Sequence, residues 1–265
     1  MLGRLMKYEF LATGRQILPA YIGVILFAVL NRILIEIGGG MDTFWLDPRW
    51  EWMVIVVGFL IFFYIMAIAA ALVITIVLII RRFYTNLFKD EGYLTNTLPV
   101  SVDVHIWGKL IPAACWMIAS VIVVIVSVII LLGGVIADYW PTEWPFELVW
   151  TSTATLAALL WLLSSTVGLL AGILAYYSAL SIGQLAKRYK ILLAIVVYYG
   201  INYAFAIIFV IAIFGVVIFS PEAWLEPEAF NVLSIYAMVL GASLLQGAVH
   251  YFITRYILKN KLNLE

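Results

Sequence analysis

Few side chains in this 265-residue sequence are of a type that performs chemistry, and their spacing decides how much they can do. Ser243 and His250 stand seven residues apart and supply the residue types of a serine hydrolase. On one helix they would lie about 10 Å apart, too far for the roughly 3 Å hydrogen bond that joins a nucleophile to its base. A histidine satisfied within the structure is therefore the expected role of His250. His105 is the only other histidine, and no group of His, Cys, Asp and Glu has metal-ligand spacing. Cys115 is the single cysteine and has no disulfide partner in the chain. Gly108-Lys109 is followed by Leu110 and preceded by no glycine loop, so the chain does not bind ATP through a P-loop. No catalytic residue, metal or cofactor is expected on this chain.

Polar residues inside apolar stretches are the remaining candidates, because a polar group in a bilayer is costly and needs a reason. Arg32 and Glu36 are spaced i, i+4. An ion pair snorkelling toward an interface is favoured for them over a role at an outer gate. Tyr198, Tyr199, Asn202 and Tyr203 flank Gly200. Tyr199 with Tyr203, or Tyr198 with Asn202, share one helix face. Such a face either lines a cavity for amphiphilic cargo or forms interhelical hydrogen bonds, and the spacing permits both. Ser164, Ser165 and Thr166 pose the same choice, with packing preferred.

The elements that must position these residues follow from composition. Hydrophobic residues make up 66% of the chain and charged residues 11%, with a mean hydropathy of +1.11. A soluble protein carries about 45–50% apolar and about 25% charged residues, so a soluble fold is excluded. Fifteen basic residues balance fifteen acidic ones, which removes the basic excess that nucleic-acid binding needs. Six stretches, 18–37, 53–80, 110–136, 148–177, 191–219 and 232–256, reach the roughly 20 apolar residues needed to cross a bilayer. They lack the period-two alternation of a β-barrel, so the fold class expected is an all-α membrane protein with six transmembrane helices. Arg4, Lys7 and Arg15 precede the first stretch, but no small-residue cleavage site follows it, and an uncleaved span is expected.

Orientation comes from charge. Segments 1–17, 81–109, 178–190 and the C-terminal end from Arg255 hold thirteen of the fifteen basic residues. The three opposite connections hold Arg49 against nine acids, and seven of the ten tryptophans cluster on that acidic side. The positive-inside rule puts both termini in the cytoplasm. The neutral total thus divides into an inner side near +8 and an outer side near −8. The outer loops run to only 11–15 residues, so any partner or substrate domain is expected from another chain.

One inner connection is the most structured. From Trp52 to Ile80 the second span is 29 residues, roughly 43 Å of helix, so its end should leave the hydrocarbon and continue through Phe88. Asp90-Glu91-Gly92 favours a turn, and Pro99 cannot extend a helix. Ser101 is a plausible N-cap, Asp103 suits a first turn, and Val102, Ile106 and Leu110 form an apolar stripe. A short interfacial helix feeding the third span is expected there, making 81–109 a strut on the membrane face. Leu2 to Arg15 is expected as a short amphipathic N-terminal helix. Glu9 falls on its apolar side, so either Glu9 is paired or the helix does not form.

The run Tyr84-Thr85-Asn86-Leu87-Phe88-Lys89-Asp90-Glu91-Gly92-Tyr93-Leu94-Thr95-Asn96-Thr97-Leu98-Pro99-Val100-Ser101, with Lys109 eight residues on, resembles the cytoplasmic loop of membrane subunits of ABC-2 class ABC exporters. An acid, a glycine, a Leu-Pro and a later lysine recur there in that family. Six spans, inner termini and the basic end at Arg255, Lys259 and Lys261 extend the resemblance over essentially the whole chain. The resemblance implies one permease domain over 1–265, without enzymatic activity, that pairs with a second permease subunit as a homodimer or heterodimer in a bacterial inner or plasma membrane. It implies a separate ABC ATPase subunit that carries ATP and Mg, surrounding membrane lipids and no nucleic-acid partner. Coupling to that ATPase would fall to Lys89, Asp90, Glu91, Gly92, Tyr93, Leu94, Pro99 and Lys109, with Gln184 in a second contact. The substrate cavity would include Tyr64, Tyr199, Asn202 and Tyr203. An amphiphilic drug, antimicrobial peptide or lipid would be the cargo. Relatives often carry a longer re-entrant element between the last two spans. Here 220–231 is short unless 215–220 bends back into the membrane. A secondary transporter, or a non-transporting sensor or immunity subunit, is the alternative.

The orientation has a direct check. With Cys115 replaced by serine, Glu143→Cys should react with an impermeant maleimide on intact cells, and Asp90→Cys only after permeabilisation. The reverse pattern would discard the inward placement of 81–109.

Overall fold

A computed structural model describes residues 2–38, 51–89, 100–139, 152–219 and 232–261. Among them are six helices and no strand: α1 Leu2–Ile37, α2 Glu51–Phe88, α3 Val102–Tyr139, α4 Ser152–Gly183, α5 Lys190–Phe219 and α6 Val232–Asn260. All six are long and apolar enough to cross a membrane, which makes this a multi-pass membrane protein. α2, with 38 residues, is roughly 57 Å long against a hydrocarbon core of about 30 Å, so its ends must emerge, and it runs on through Phe88 as expected.

Two elements differ from expectation. The N-terminal segment is helical, but it is not a separate amphipathic helix: it runs unbroken into the first span as α1. No turn-forming residue lies between Arg15 and Leu18, and Pro19 costs only a local hydrogen bond within a helix held by packing. Glu9 is buried there and does not stand unpaired. Likewise the expected interfacial helix near residue 102 is the first turns of α3. The Ser101 carbonyl accepts the N–H groups of Val104 and His105 at 3.0 and 3.4 Å, and Asp103 lies in the first turn as the helix dipole favours. Residues 215–219 continue α5 as helix, and 220–231 fall outside the described residues.

The chain divides into two compact units, Met1–Arg81 with Ile111–Trp144, and Arg82–Leu110 with Pro145–Glu265. In the first, Ile17, Tyr21, Val24 and Ala28 of α1 pack with Tyr64, Ala71 and Leu78 of α2 in one buried cluster. The Tyr21 hydroxyl ties three helices: it bonds Thr75 Oγ1 at 3.2 Å and donates to the Trp116 carbonyl at 3.0 Å. The Trp116 ring lies over Gly14, where a Cβ would come within 3.1 Å.

In the second unit α4 packs against both α5 and α6. Small residues let α4 and α6 approach: a Cβ on Gly168 would meet Ser243 Oγ at 3.6 Å, and one on Gly247 would meet Ala171 Cβ at 3.5 Å. The turn from α4 to α5 is tighter still. A Cβ at Gly183 would stand 2.6 Å from the Lys190 carbonyl and 2.8 Å from Ala194 Cβ, so the backbone itself would have to move. Gly183→Ala should therefore destabilise the fold by about 1–3 kcal/mol, as overpacking usually does. Gly200→Ala, with nothing within 4 Å of its added methyl, should not lower stability. Unfolding midpoints of the two variants in detergent would check this, and equal midpoints would refute the close approach.

Candidate functional site

Polar and aromatic side chains converge in the second unit where the last turns of α2 and the first turns of α3 meet α4 and α6. On the α2 arm, Phe83 is fully buried and stacks on Tyr177 of α4, with ring centroids 3.7 Å apart and planes within 5°. Leu87, one turn on, is buried as well. On the α3 arm, Asp103 Oδ1 accepts two donors from α6: the Tyr251 hydroxyl at 2.5 Å and Arg255 Nε at 2.9 Å. The Trp107 ring lies against Tyr251, with centroids 6.1 Å apart. Tyr251 and Arg255 are spaced i, i+4, so the helix period puts both donors on one face.

The two contacts differ in strength. The Phe83–Tyr177 stack buries two large aromatic surfaces and holds by the hydrophobic effect. The Asp103–Arg255 pair is 35% and 44% exposed, and exposed pairs contribute only about 0.2–1 kcal/mol. The ion pair breaks at low cost, while Ile106 and Leu110 of the same arm are fully buried and keep the start of α3 in place.

The structure places the expected coupling residues unevenly. Asp90, Glu91, Gly92, Tyr93, Leu94 and Pro99 lie outside the described residues. Lys89 is exposed just past the end of α2, with its ammonium over the Tyr84 ring at 5.7 Å. Lys109 is buried on α3, so it offers no surface to a second chain in this conformation. Gln184 follows α4, and its N–H caps the Leu180 carbonyl at 3.1 Å.

The expected cavity residues separate into two kinds. Tyr64 is buried in the first unit, and its hydroxyl bonds Ser127 Oγ at 2.8 Å, so it acts as interhelical packing there. Asn202 is also engaged: its amide donates to the Tyr198 carbonyl at 2.7 Å, and its Oδ1 accepts from Gln246 of α6 at 3.0 Å. Tyr198 stacks on Tyr176 of α4. Tyr199 and Tyr203, 57% and 67% exposed, form the outward face of α5. The i, i+4 spacing found both faces, and only the second is open. Arg32 and Glu36 form the expected ion pair on α1.

His250 has the structural role expected of it, with a partner that the sequence does not reveal. Its Nδ1 bonds Ser178 Oγ of α4 at 2.7 Å, and both residues are fully buried. Ser243 lies on the same α4-facing side of α6 but meets Gly168 instead. Ser178 and His250 have the types of a nucleophile and its base, yet both are fully buried, and among the described residues His250 Nε2 has no hydrogen-bond partner that could orient the ring. His105 is buried on α3. No group of metal-ligating side chains occurs among the described residues. Asp103, Tyr251, Arg255, Phe83, Tyr177 and Gln246 were not singled out as a site by sequence. Asp103 and Tyr251 are 148 residues apart, so no local spacing signals their pairing.

Fold and site together define an α-helical multi-pass membrane protein. Compared with known proteins, the chain matches no family model, no curated protein and no solved structure.

Because Ser178 and His250 are sealed from solvent, a fluorophosphonate probe should leave the chain unlabelled. Ser178→Ala, which strands a buried imidazole nitrogen, should cost about 1–3 kcal/mol of stability. Labelling that disappears in Ser178→Ala would instead make the pair catalytic.

Proposed function

We propose that this chain is the membrane-spanning subunit of an ATP-driven exporter of the ABC-2 class, acting as half of a permease dimer beside a separate ATPase subunit. The carrying observation is the docking of both arms of the first inner connection, Phe83 on α4 and Asp103 on α6. A displacement of the intervening segment, which includes Glu91, is thereby delivered to α4 and α6 by direct contact. The charge asymmetry supports placing this connection and both termini in the cytoplasm, where an ATPase works.

In this reading ATP and Mg reside on the partner, and this chain supplies leverage. ATP-driven closure of two ATPase subunits moves the connection, and α4 and α6 follow. The cycle gains direction only if the connection makes different contacts in the inward-open and outward-open states. The Asp103–Arg255 contact suits that demand, since it is weak enough to be remade each cycle. Phe83, fully buried, keeps the connection attached throughout. The exposed tyrosines 199 and 203 on α5 suit an amphiphilic cargo, with an apolar ring and a hydroxyl on each.

The test is reconstitution of the chain with the ATPase that co-purifies with it. Glu91→Ala should weaken that assembly and abolish cargo-stimulated ATP hydrolysis. Asp103→Asn, which keeps an acceptor for Tyr251 but loses the ion pair, should leave assembly intact and lower coupled transport by up to about fivefold. Transport that runs on a proton or sodium gradient with no ATPase bound would sink the proposal.

A further inference from the structure

The turn between α4 and α5 carries a feature that the proposed function does not use. Gly183 ends α4 and Lys190 begins α5, and the turn is closed by Leu185 N–H to the Ile182 carbonyl at 3.0 Å and Ala186 N–H to the Gly183 carbonyl at 3.3 Å. Lys187, Arg188 and Lys190 are all exposed on it. They fall within four consecutive residues, so their Cα atoms lie within about 11 Å of one another. Tyr189, between them, is 68% exposed and has a φ of 60°, and the Arg188 guanidinium lies over its ring at 5.5 Å.

Among the described residues, no acid pairs with these cations. Residues 152–219, which cover α4, the turn and α5, contain no acid. Asp103, the one acid among the described residues of the second unit, is engaged by Tyr251 and Arg255. Immediately beyond Lys190 the surface turns apolar: Ile191, Leu192 and Val196 are each 59–60% exposed. In a membrane-spanning helix that surface is covered by acyl chains. The cations adjoin the edge of that apolar surface, and a bilayer covering it brings its phosphates toward them; Tyr189 has the amphipathic ring favoured at an interface.

We propose that this turn is a binding site for an anionic phospholipid, with the headgroup phosphate held by Lys187, Arg188 and Lys190 and the acyl chains lying against Ile191, Leu192 and Val196 in the first turns of α5. Charge complementarity selects the headgroup, and the apolar face continuous with it selects a lipid over a soluble anion. A protein partner needs three cations but has no use for the hydrocarbon-facing collar beneath them. The site does not depend on the transport reading, because anionic lipid can meet it whatever the chain carries.

The full chain, purified in mixed micelles holding equal phosphatidylcholine and phosphatidylglycerol, should retain phosphatidylglycerol preferentially in native mass spectrometry. Replacing Lys187, Arg188 and Lys190 by glutamine should reduce that preference by roughly fivefold per charge at low salt. Arg188→Lys should preserve it, and glutamine at Lys259 and Lys261 should leave it largely intact. Equal retention of the two lipids by the native chain would overturn the proposal. So would a loss as large in the Lys259 and Lys261 variant, which would reduce the effect to general cationic attraction. A triple variant that keeps phosphatidylglycerol while losing a co-purifying protein would assign the turn to that protein instead.

Discussion

Hydrocarbon offers no hydrogen-bond partner, and the bonding of most polar side chains within the described helices follows from that constraint. The hydroxyls of Ser120, Ser127 and Ser164 each donate to a carbonyl three residues back on their own helix, and those of Thr13, Thr75 and Thr254 to one four residues back. Larger polar groups have to cross to a neighbour. Tyr21 reaches α2 and α3, Tyr64 reaches α3, Gln246 reaches α5 and His250 reaches α4. Each crossing bond is individually modest, about 0.6 kcal/mol on average between membrane helices. Their effect is to fix register: an apolar face slides with little penalty, but a buried imidazole cannot leave its serine without losing its bond.

The second unit applies the same rule where the helices leave the hydrocarbon. There water and headgroups can satisfy a charge, so contacts no longer need to be permanent. The Phe83–Tyr177 stack is sealed and the Asp103 contacts are not. The Asp103–Arg255 pair can open and close while buried residues on both arms, Phe83 on one and Ile106 and Leu110 on the other, keep the connection attached. A deeply buried ion pair could not do this, since breaking it leaves a charge uncompensated.

The sequence revealed the architecture because hydrophobic length is a strong, local signal, and even the extension of α2 to Phe88 follows from counting residues. It did not separate Leu2–Arg15 from the first span correctly, because an interfacial helix and a helix that continues into the bilayer look alike unless a turn residue divides them. Periodicity placed Tyr198 with Asn202 and Tyr199 with Tyr203 on two faces of one helix. It could not say which face met α4 and α6, since that depends on residues far along the chain. Ser178 and His250 are 72 residues apart, and Asp103 and Tyr251 are 148 apart, so neither pairing leaves any trace in local spacing. Ser243, on the correct face of α6 but one contact removed, shows how spacing finds a surface without finding the partner.

Asp103 accepts both its bonds on one oxygen, from donors a single helical turn apart on α6. Either donor can therefore let go without leaving the carboxylate bare, because the other stays on the same oxygen. The His250–Ser178 bond, beside Tyr251 on α6, holds that helix in register meanwhile. The contact behaves as a double latch whose two catches differ in strength, because only one of the donors is charged.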